Sequence, residues 1–177
     1  LDVSTCYARP GDGAAGVGAM MWVRAHRADK DCLPLADRHY NRQKIGSPQF
    51  VPPGRCVVLK ADGAVWVTSW PYAEYVKHAW AGAWVNSLFR KECDGLASEY
   101  IRAAVAATRA EWPNIPEQGM VTFIDPLHVK PRKVRGRQAI AESYFAAGFK
   151  HVGYTKAGLW AMQLLPEDMP EAQAAQQ

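Results

Sequence analysis

Apolar and polar positions along the chain fall into short alternating runs separated by turn residues, and one longer stretch repeats at three and four. Cys56–Lys60 and Ala64–Trp70 are apolar runs around Asp62-Gly63, and Asp-Gly between two such runs predicts a hairpin. Met21–Ala25, Trp84–Arg90, Met120–Ile124, Lys150–Tyr154 and Leu159–Leu165 read as further strands. From Leu96 to Trp112, Ala97, Tyr100, Ile101, Ala104, Val105, Thr108 and Trp112 form an apolar stripe. Glu99, Arg102, Arg109 and Glu111 take the other face, and Pro113 ends the helix. Gln138–Ala147 predicts a second helix, stopped by Gly148 where a left-handed cap favours glycine. Asp31–Tyr40 reads as a loop and short helix with Pro34 in its first turn. Asn41–Gly54, broken by Gly46, Pro48, Pro52 and Pro53, is an irregular segment of the kind that carries function. The order is strand, helix, hairpin, strand, helix, strand, helix, strand, strand, which predicts an α/β sheet with helices on its faces.

Length and composition narrow this picture. A chain of 177 residues fits one domain, since domains cluster at roughly 100–150 residues. Residues 1–19 lack a periodic pattern and read as a leader or added segment before Met20-Met21. The domain then runs over 20–167, and 168–177 read as a flexible tail. Hydrophobic residues make up 49% and charged residues 21%, an ordinary globular mix. No run of about 18 apolar residues suits a membrane span. Cys6, Cys32, Cys56 and Cys93 form no CxxC pair, which argues against a zinc knuckle or a thioredoxin-like site. Reduced cysteines in a cytoplasmic protein are the expectation.

The net charge of +4 is modest, but its distribution is not even. Lys130, Arg132, Lys133, Arg135 and Arg137 fall within eight residues, and such a cluster attracts a phosphate backbone.

Two resemblances follow from specific motifs. Ser143-Tyr144-Phe145-Ala146-Ala147-Gly148-Phe149 resembles the closing motif of GNAT acyltransferases. That likeness implies a mixed, largely antiparallel sheet flanked by helices on both faces, with Tyr144 as general acid toward the leaving group. It also makes Arg90, Lys91 and Gly95, in the junction Arg90–Ala97, the candidate donor-binding residues. The junction keeps a single glycine and adds Glu92 and Asp94 where phosphates would sit at a helix N-terminus. Ala36-Asp37-Arg38-His39-Tyr40-Asn41-Arg42, with Asp125-Pro126-Leu127-His128 downstream, is similar to the phage Mom DNA-modification family, divergent GNAT-fold proteins. That resemblance implies transfer of a carbamoylmethyl-type group to the exocyclic amine of adenine in DNA, protecting phage DNA from restriction.

Amine attack on an activated carbonyl needs a base, donors for the oxyanion and an acid for the leaving group. His39, Tyr40, Asp125 and Tyr144 are the catalytic candidates. Asp125 belongs there because it follows an apolar run, at the carboxyl end of a strand. His128 is placed to pair with Asp125 or to share a metal with His39, but the spacing does not support an iron site. Arg38, Arg42, Ser69, Trp70, Tyr72, His128 and the basic run Lys130–Arg137 are the nucleic-acid-binding candidates. Among them, Trp70 and Tyr72 suit stacking on an extruded base. Expected partners are double-stranded DNA and, if an aminoacyl ester replaces an acyl thioester as donor, a charged tRNA. A homodimer is a further expectation. The competing function is a conventional acetyl-coenzyme A-dependent N-acetyltransferase.

Overall fold

The computed structural model describes residues 22–129, 131–134 and 136–177, so the expected leader lies outside the described residues. The described elements are β1 (Val23–Ala25), α1 (Leu33–Asp37), β2 (Arg55–Ala61), β3 (Ala64–Trp70), β4 (Trp84–Lys91) and α2 (Ala97–Glu111). They continue with β5 (Met120–Ile124), β6 (Arg132–Val134), β7 (Arg137–Ala139), α3 (Glu142–Ala146), β8 (Lys150–Tyr154) and β9 (Trp160–Leu164). The chain is a mixed α/β protein. Seven strands form one mostly antiparallel sheet in the order β1-β2-β3-β4-β5-β9-β8, and β6 and β7 form a separate hairpin.

The Asp62-Gly63 turn joins β2 to β3 through seven paired positions. Gly63 takes φ +71°, and a Cβ there would stand 2.9 Å from that of Cys93, so both the turn and the neighbour require glycine. Alternation along β2 then sorts the core into two layers. Val57 and Leu59 join Trp66, Trp84, Ile101, Val105 and Phe149, beneath α2 and α3. Val58 joins Val65, Val67, Leu88 and the α1 residues Leu35 and Ala36, with Phe50 and Val51 from the irregular segment. Two threonine hydroxyls link the first layer in a chain, while the Trp84 indole N–H is left without a partner. Trp66 Nε1 donates to Thr68 Oγ1 at 2.6 Å, and the Thr68 and Thr108 hydroxyls pair at 3.1 Å, tying β3 to α2.

Two expectations change. Gln138–Ala147 is not one helix. Gly136, at φ +80°, turns the basic run into the β6–β7 hairpin, and Ala141, at φ +62°, breaks the backbone before α3 begins. The last residues, expected to be a flexible tail, lie along β1: Arg24 N–H donates to the Gln176 carbonyl at 2.7 Å and Gln176 N–H to that of Trp22 at 3.0 Å. The sheet contains one parallel pair, β4 with β5, in keeping with the mixed, largely antiparallel sheet expected, though no local pattern located it. Among the described residues no helix is long and apolar enough to cross a membrane.

Candidate active site at the parting of two strands

Strands β4 and β5 pair over only three positions, Trp84 with Met120 through Asn86 with Thr122, and then separate. At the same point β4 carries a bulge: Thr68 of β3 faces Asn86 and Val67 faces Leu88, which leaves Ser87 as the extra residue. Two cavities of about 360 and 370 Å³ open at this gap. The first is lined by Phe89, Thr122, Ile124, Ala97 and Tyr144, the side of α2 and α3. The second takes Val85, Phe123, Asp125, His128 and Leu159. Val85 and Phe123 alternate away from the Asn86–Thr122 face, so the second cavity opens toward the opposite side of the sheet. Tyr40, Asn41, Asn86, Ser87 and Phe123 line both.

Five residues singled out from sequence converge here. His39, Tyr40 and His128 stack in sequence, with ring centroids 4.6 Å and 5.4 Å apart. The His128 Nδ1 lies 2.7 Å from Asp125 Oδ2, and the other carboxylate oxygen accepts the Leu127 N–H at 2.9 Å. These contacts, the Leu127 amide first, hold the Asp125 carboxyl below its ordinary range, so it is a carboxylate and His128 Nδ1 is the donor. In the neutral form of the ring this places the lone pair on Nε2. Each Asp125 oxygen holds one hydrogen bond, and the bond to Nδ1 orients the His128 ring.

His39 is arranged in parallel fashion. Asn41 Nδ2 donates to the Ser87 carbonyl at 2.9 Å, which turns Asn41 Oδ1 toward His39 Nδ1 at 2.5 Å. The Asn41 backbone N–H also approaches that nitrogen, at 3.3 Å, which asks it to accept. The shorter contact to an acceptor-only oxygen decides that Nδ1 carries the proton. Burial lowers the pKa of His39, with a contribution from the Arg90 charge, and the ring is neutral at pH 7.

Tyr144 packs edge-on against Phe149 and donates to Asn86 Oδ1 at 2.6 Å. The amide of Asn86 cannot flip, because its nitrogen donates to the carbonyls of Val67 and Leu88 at 3.1 and 3.0 Å. Thr122 Oγ1 adds a bond to Asn86 Oδ1 at 3.3 Å. Burial raises the Tyr144 pKa, so this hydroxyl keeps its proton at neutral pH. Burial raises that of Tyr40 too, and its oxygen accepts the Asp125 N–H at 3.3 Å.

Other nominated residues have different work. Arg42 sits in a loop clamp, donating to Asp37 Oδ1 at 2.7 Å and to the carbonyls of Ser47 and Gln49. Arg38 grips both oxygens of Glu92 at 2.7 and 2.8 Å, and Arg90 reaches the same carboxylate at 2.5 Å. Those bonds, Arg38 first, bring the Glu92 pKa to about 2. Lys91 donates to the Cys93 carbonyl and lies 5.2 Å from the Tyr100 ring, and Gly95 takes φ +92° beside that ring. No side chain caps α2, whose first residue, Ala97, lines the first cavity. The Ser69 hydroxyl donates to the Val85 carbonyl at 3.4 Å. Trp70 packs on Trp84 and Trp112 beneath Arg55, at the closed end of the β4–β5 pair, and not at its open gap. Tyr72 is exposed beside Tyr75. Trp80 and His78 instead cover Phe123, the wall of both cavities.

Of the basic run, Lys133 is exposed and Arg132 and Arg137 belong to β6 and β7, while Lys130 and Arg135 lie outside the described residues. Ala139 of β7 lines the first cavity, which brings this hairpin to its mouth. Cys32, Cys56 and Cys93 are free thiols, and burial pushes that of Cys32 up to about 12. Among the described residues no cluster of three or more His, Cys, Asp or Glu side chains suits a metal ion.

Asn41, Asn86 and Ser87 were not nominated from sequence. The one available signal for Asn86 was an amide in the middle of an otherwise apolar strand centre. Comparison with family models, with characterised proteins and with solved structures gives no match for the chain.

Proposed function

We propose that the protein is a transferase that adds a small acyl- or carbamoylmethyl-type group to the exocyclic amine of adenine in DNA, on a GNAT-like scaffold with helices on both sheet faces. The observation that carries this is a pair of cavities meeting through a gap in the sheet, each with its own proton-handling group. Tyr144 stands on one side as a retained proton, and the Asp125–His128 pair stands on the other with a free Nε2. Two substrates entering from opposite faces meet at the gap, which is the geometry that group transfer between a donor and an amine requires. The tyrosine side is the donor side. Its hydroxyl protonates the departing thiolate or alkoxide, while His128 takes the proton of the attacking amine.

The acceptor reading draws on shape and charge. The rings of Tyr40, Phe123 and His128 give the second cavity planar walls that suit a flat base taken out of its stack. The basic β6–β7 hairpin borders the site, where it would hold phosphates and fix orientation. His39, a catalytic candidate from sequence, meets Asn41 and supports Tyr40 by stacking.

A second reading, an acetyl-coenzyme A-dependent N-acetyltransferase, is favoured by the uncapped start of α2 at the donor cavity. Against it, Arg38 and Arg90 are already spent on the Glu92 carboxylate, so the junction has little free positive charge for a pyrophosphate. A charged tRNA, whose ester needs no such cradle, fits the same cavity as donor.

The test is expression in bacteria, digestion of plasmid DNA to nucleosides and mass spectrometry. A new adenosine mass is expected. Unmodified nucleosides from soluble protein, with tight acetyl-coenzyme A binding and no salt-dependent DNA binding, would favour the second reading.

A further inference from the structure

The residues shared by the two cavities have nearly all their polar groups committed. Asn86 gives both amide hydrogens to Val67 and Leu88 and receives Tyr144 and Thr122 on its oxygen. Asn41 joins the Ser87 carbonyl to His39. Phe123 has no polar side-chain atom. The Tyr40 oxygen accepts the Asp125 N–H, which leaves its own proton free. The Ser87 hydroxyl is screened from solvent and has no partner.

A buried hydroxyl without a partner costs free energy, and such groups persist where a ligand completes them. Ser87 is also the extra residue of the β4 bulge, a device that re-aims a side chain beside an active site. Its carbonyl is fixed by Asn41, so the bulge has one orientation. Other atoms of Ser87 line both cavities, and its Oγ sits just behind that lining, one χ1 rotation from the gap.

We propose that Ser87 is a catalytic residue whose Oγ–H, together with the Tyr40 O–H, binds the carbonyl oxygen of the group being transferred. The proposal rests on the group-transfer function above and narrows it to acyl transfer: the donor is an activated carbonyl, a thioester or an aminoacyl ester, and the group is joined to the amine through its carbonyl carbon, not through the methylene of a carbamoylmethyl group. As the amine nitrogen bonds to the carbonyl carbon, the π pair moves onto oxygen, where the two hydroxyls stabilise it. Collapse restores the C=O bond and breaks the bond from that carbon to sulfur or ester oxygen. The leaving atom takes the Tyr144 proton, and His128 Nε2 takes the proton of the amine, so charge and atoms balance.

The experiment compares wild type, Ser87→Ala and Ser87→Thr by the rate of adduct appearance in plasmid adenine after induction, beside their melting temperatures. Removing one oxyanion donor costs on the order of 10²–10³-fold in rate, so Ser87→Ala falls by that much. Its melting temperature stays equal or rises, because an unsatisfied buried hydroxyl is gone. Ser87→Thr, which keeps the hydroxyl, forms adduct faster than Ser87→Ala. A Ser87→Ala protein as active as wild type overturns the assignment, and so does one whose melting temperature drops by several degrees, which would mark a structural role. If wild type itself leaves adenine unmodified, the proposed function falls and this role falls with it. A modifying wild type with an equally active Ser87→Ala removes the Ser87 assignment alone.

Discussion

Two neighbouring strand pairs of one sheet are built differently. β2 and β3 pair over seven positions and bury Val57, Leu59, Val65 and Trp66 completely. β4 and β5 pair over three, and the space beyond is held by side chains: Asn86, Thr122, Tyr144, Asn41 and His39. In the first pair backbone ladder and apolar packing coincide, and nothing is left over for a ligand. In the second, polar side chains gather where the ladder ends, Thr122 tying β5 to Asn86 at the last paired position, and they line a cavity beyond it. A sheet gains a side-chain-lined cavity where its own ladder bonding stops, with amides of fixed orientation at the edge.

The strongest way to break the comparison is in the paired body. Trp66→Ala removes a fully buried ring and the Trp66–Thr68 bond, and it is expected to cost about 3–5 kcal/mol, read as a shift in the urea midpoint at unchanged slope. Asn86→Leu tests the gap itself. It strands the Val67 and Leu88 carbonyls and the Tyr144 hydroxyl, at an expected cost of about 1–3 kcal/mol, and it abolishes adduct formation. Equal stability with full activity would mean that the amide does not organise the gap.

How much of this contrast is written locally explains what sequence made legible. The β2–β3 hairpin follows from Asp62-Gly63, α2 from its apolar stripe and Pro113, and the end of β5 from Asp125-Pro126. His39, Tyr40, Asp125, His128 and Tyr144 stand out because their chemistry is recognisable by type. The gap does not, because it arises from a parallel pairing between segments separated by α2 and from a one-residue slip at Ser87. Asn41 and Asn86 are ordinary amides until three-dimensional neighbours fix them. The β6–β7 hairpin escaped for a different reason: its strands have three residues each, too few to display alternation, and Gly136 is the sole turn signal. Arg38, Arg42 and Arg90 carried charge that suited phosphate, and only the structure reveals the carboxylates that occupy them.

Smaller effects sharpen the same boundary. Glu92→Gln removes the carboxylate between Arg38 and Arg90. Because the pair is about one-third exposed or more, the loss at neutral pH should be only about 0–1 kcal/mol. The pH dependence is more telling. The folded Glu92 pKa of about 2 lies below its ordinary 4.5, so its contribution is present above 4.5 and is lost as pH falls from there toward 2. Melting curves of wild type and Glu92→Gln should converge in that window. The smallest effect belongs to His39, whose folded pKa is depressed below the ordinary 6.5. The unfolded chain then binds a proton first, so stability present above 6.5 declines as pH falls below it. His39→Gln should flatten that part of the melting profile, with His78, also depressed by burial, supplying the remainder.

Mass spectrometry of nucleosides from plasmid DNA, comparing cells that make wild type with cells that make His128→Ala, tests the central claim that the gap is a group-transfer site. His128 is exposed and holds no core contact, so the variant folds, while loss of a general base lowers the rate by about 10²–10⁴-fold. The account predicts a new adenosine mass with wild type and near-background levels with His128→Ala at equal soluble protein. The same adduct level from both proteins, or unmodified adenosine from both, would contradict it.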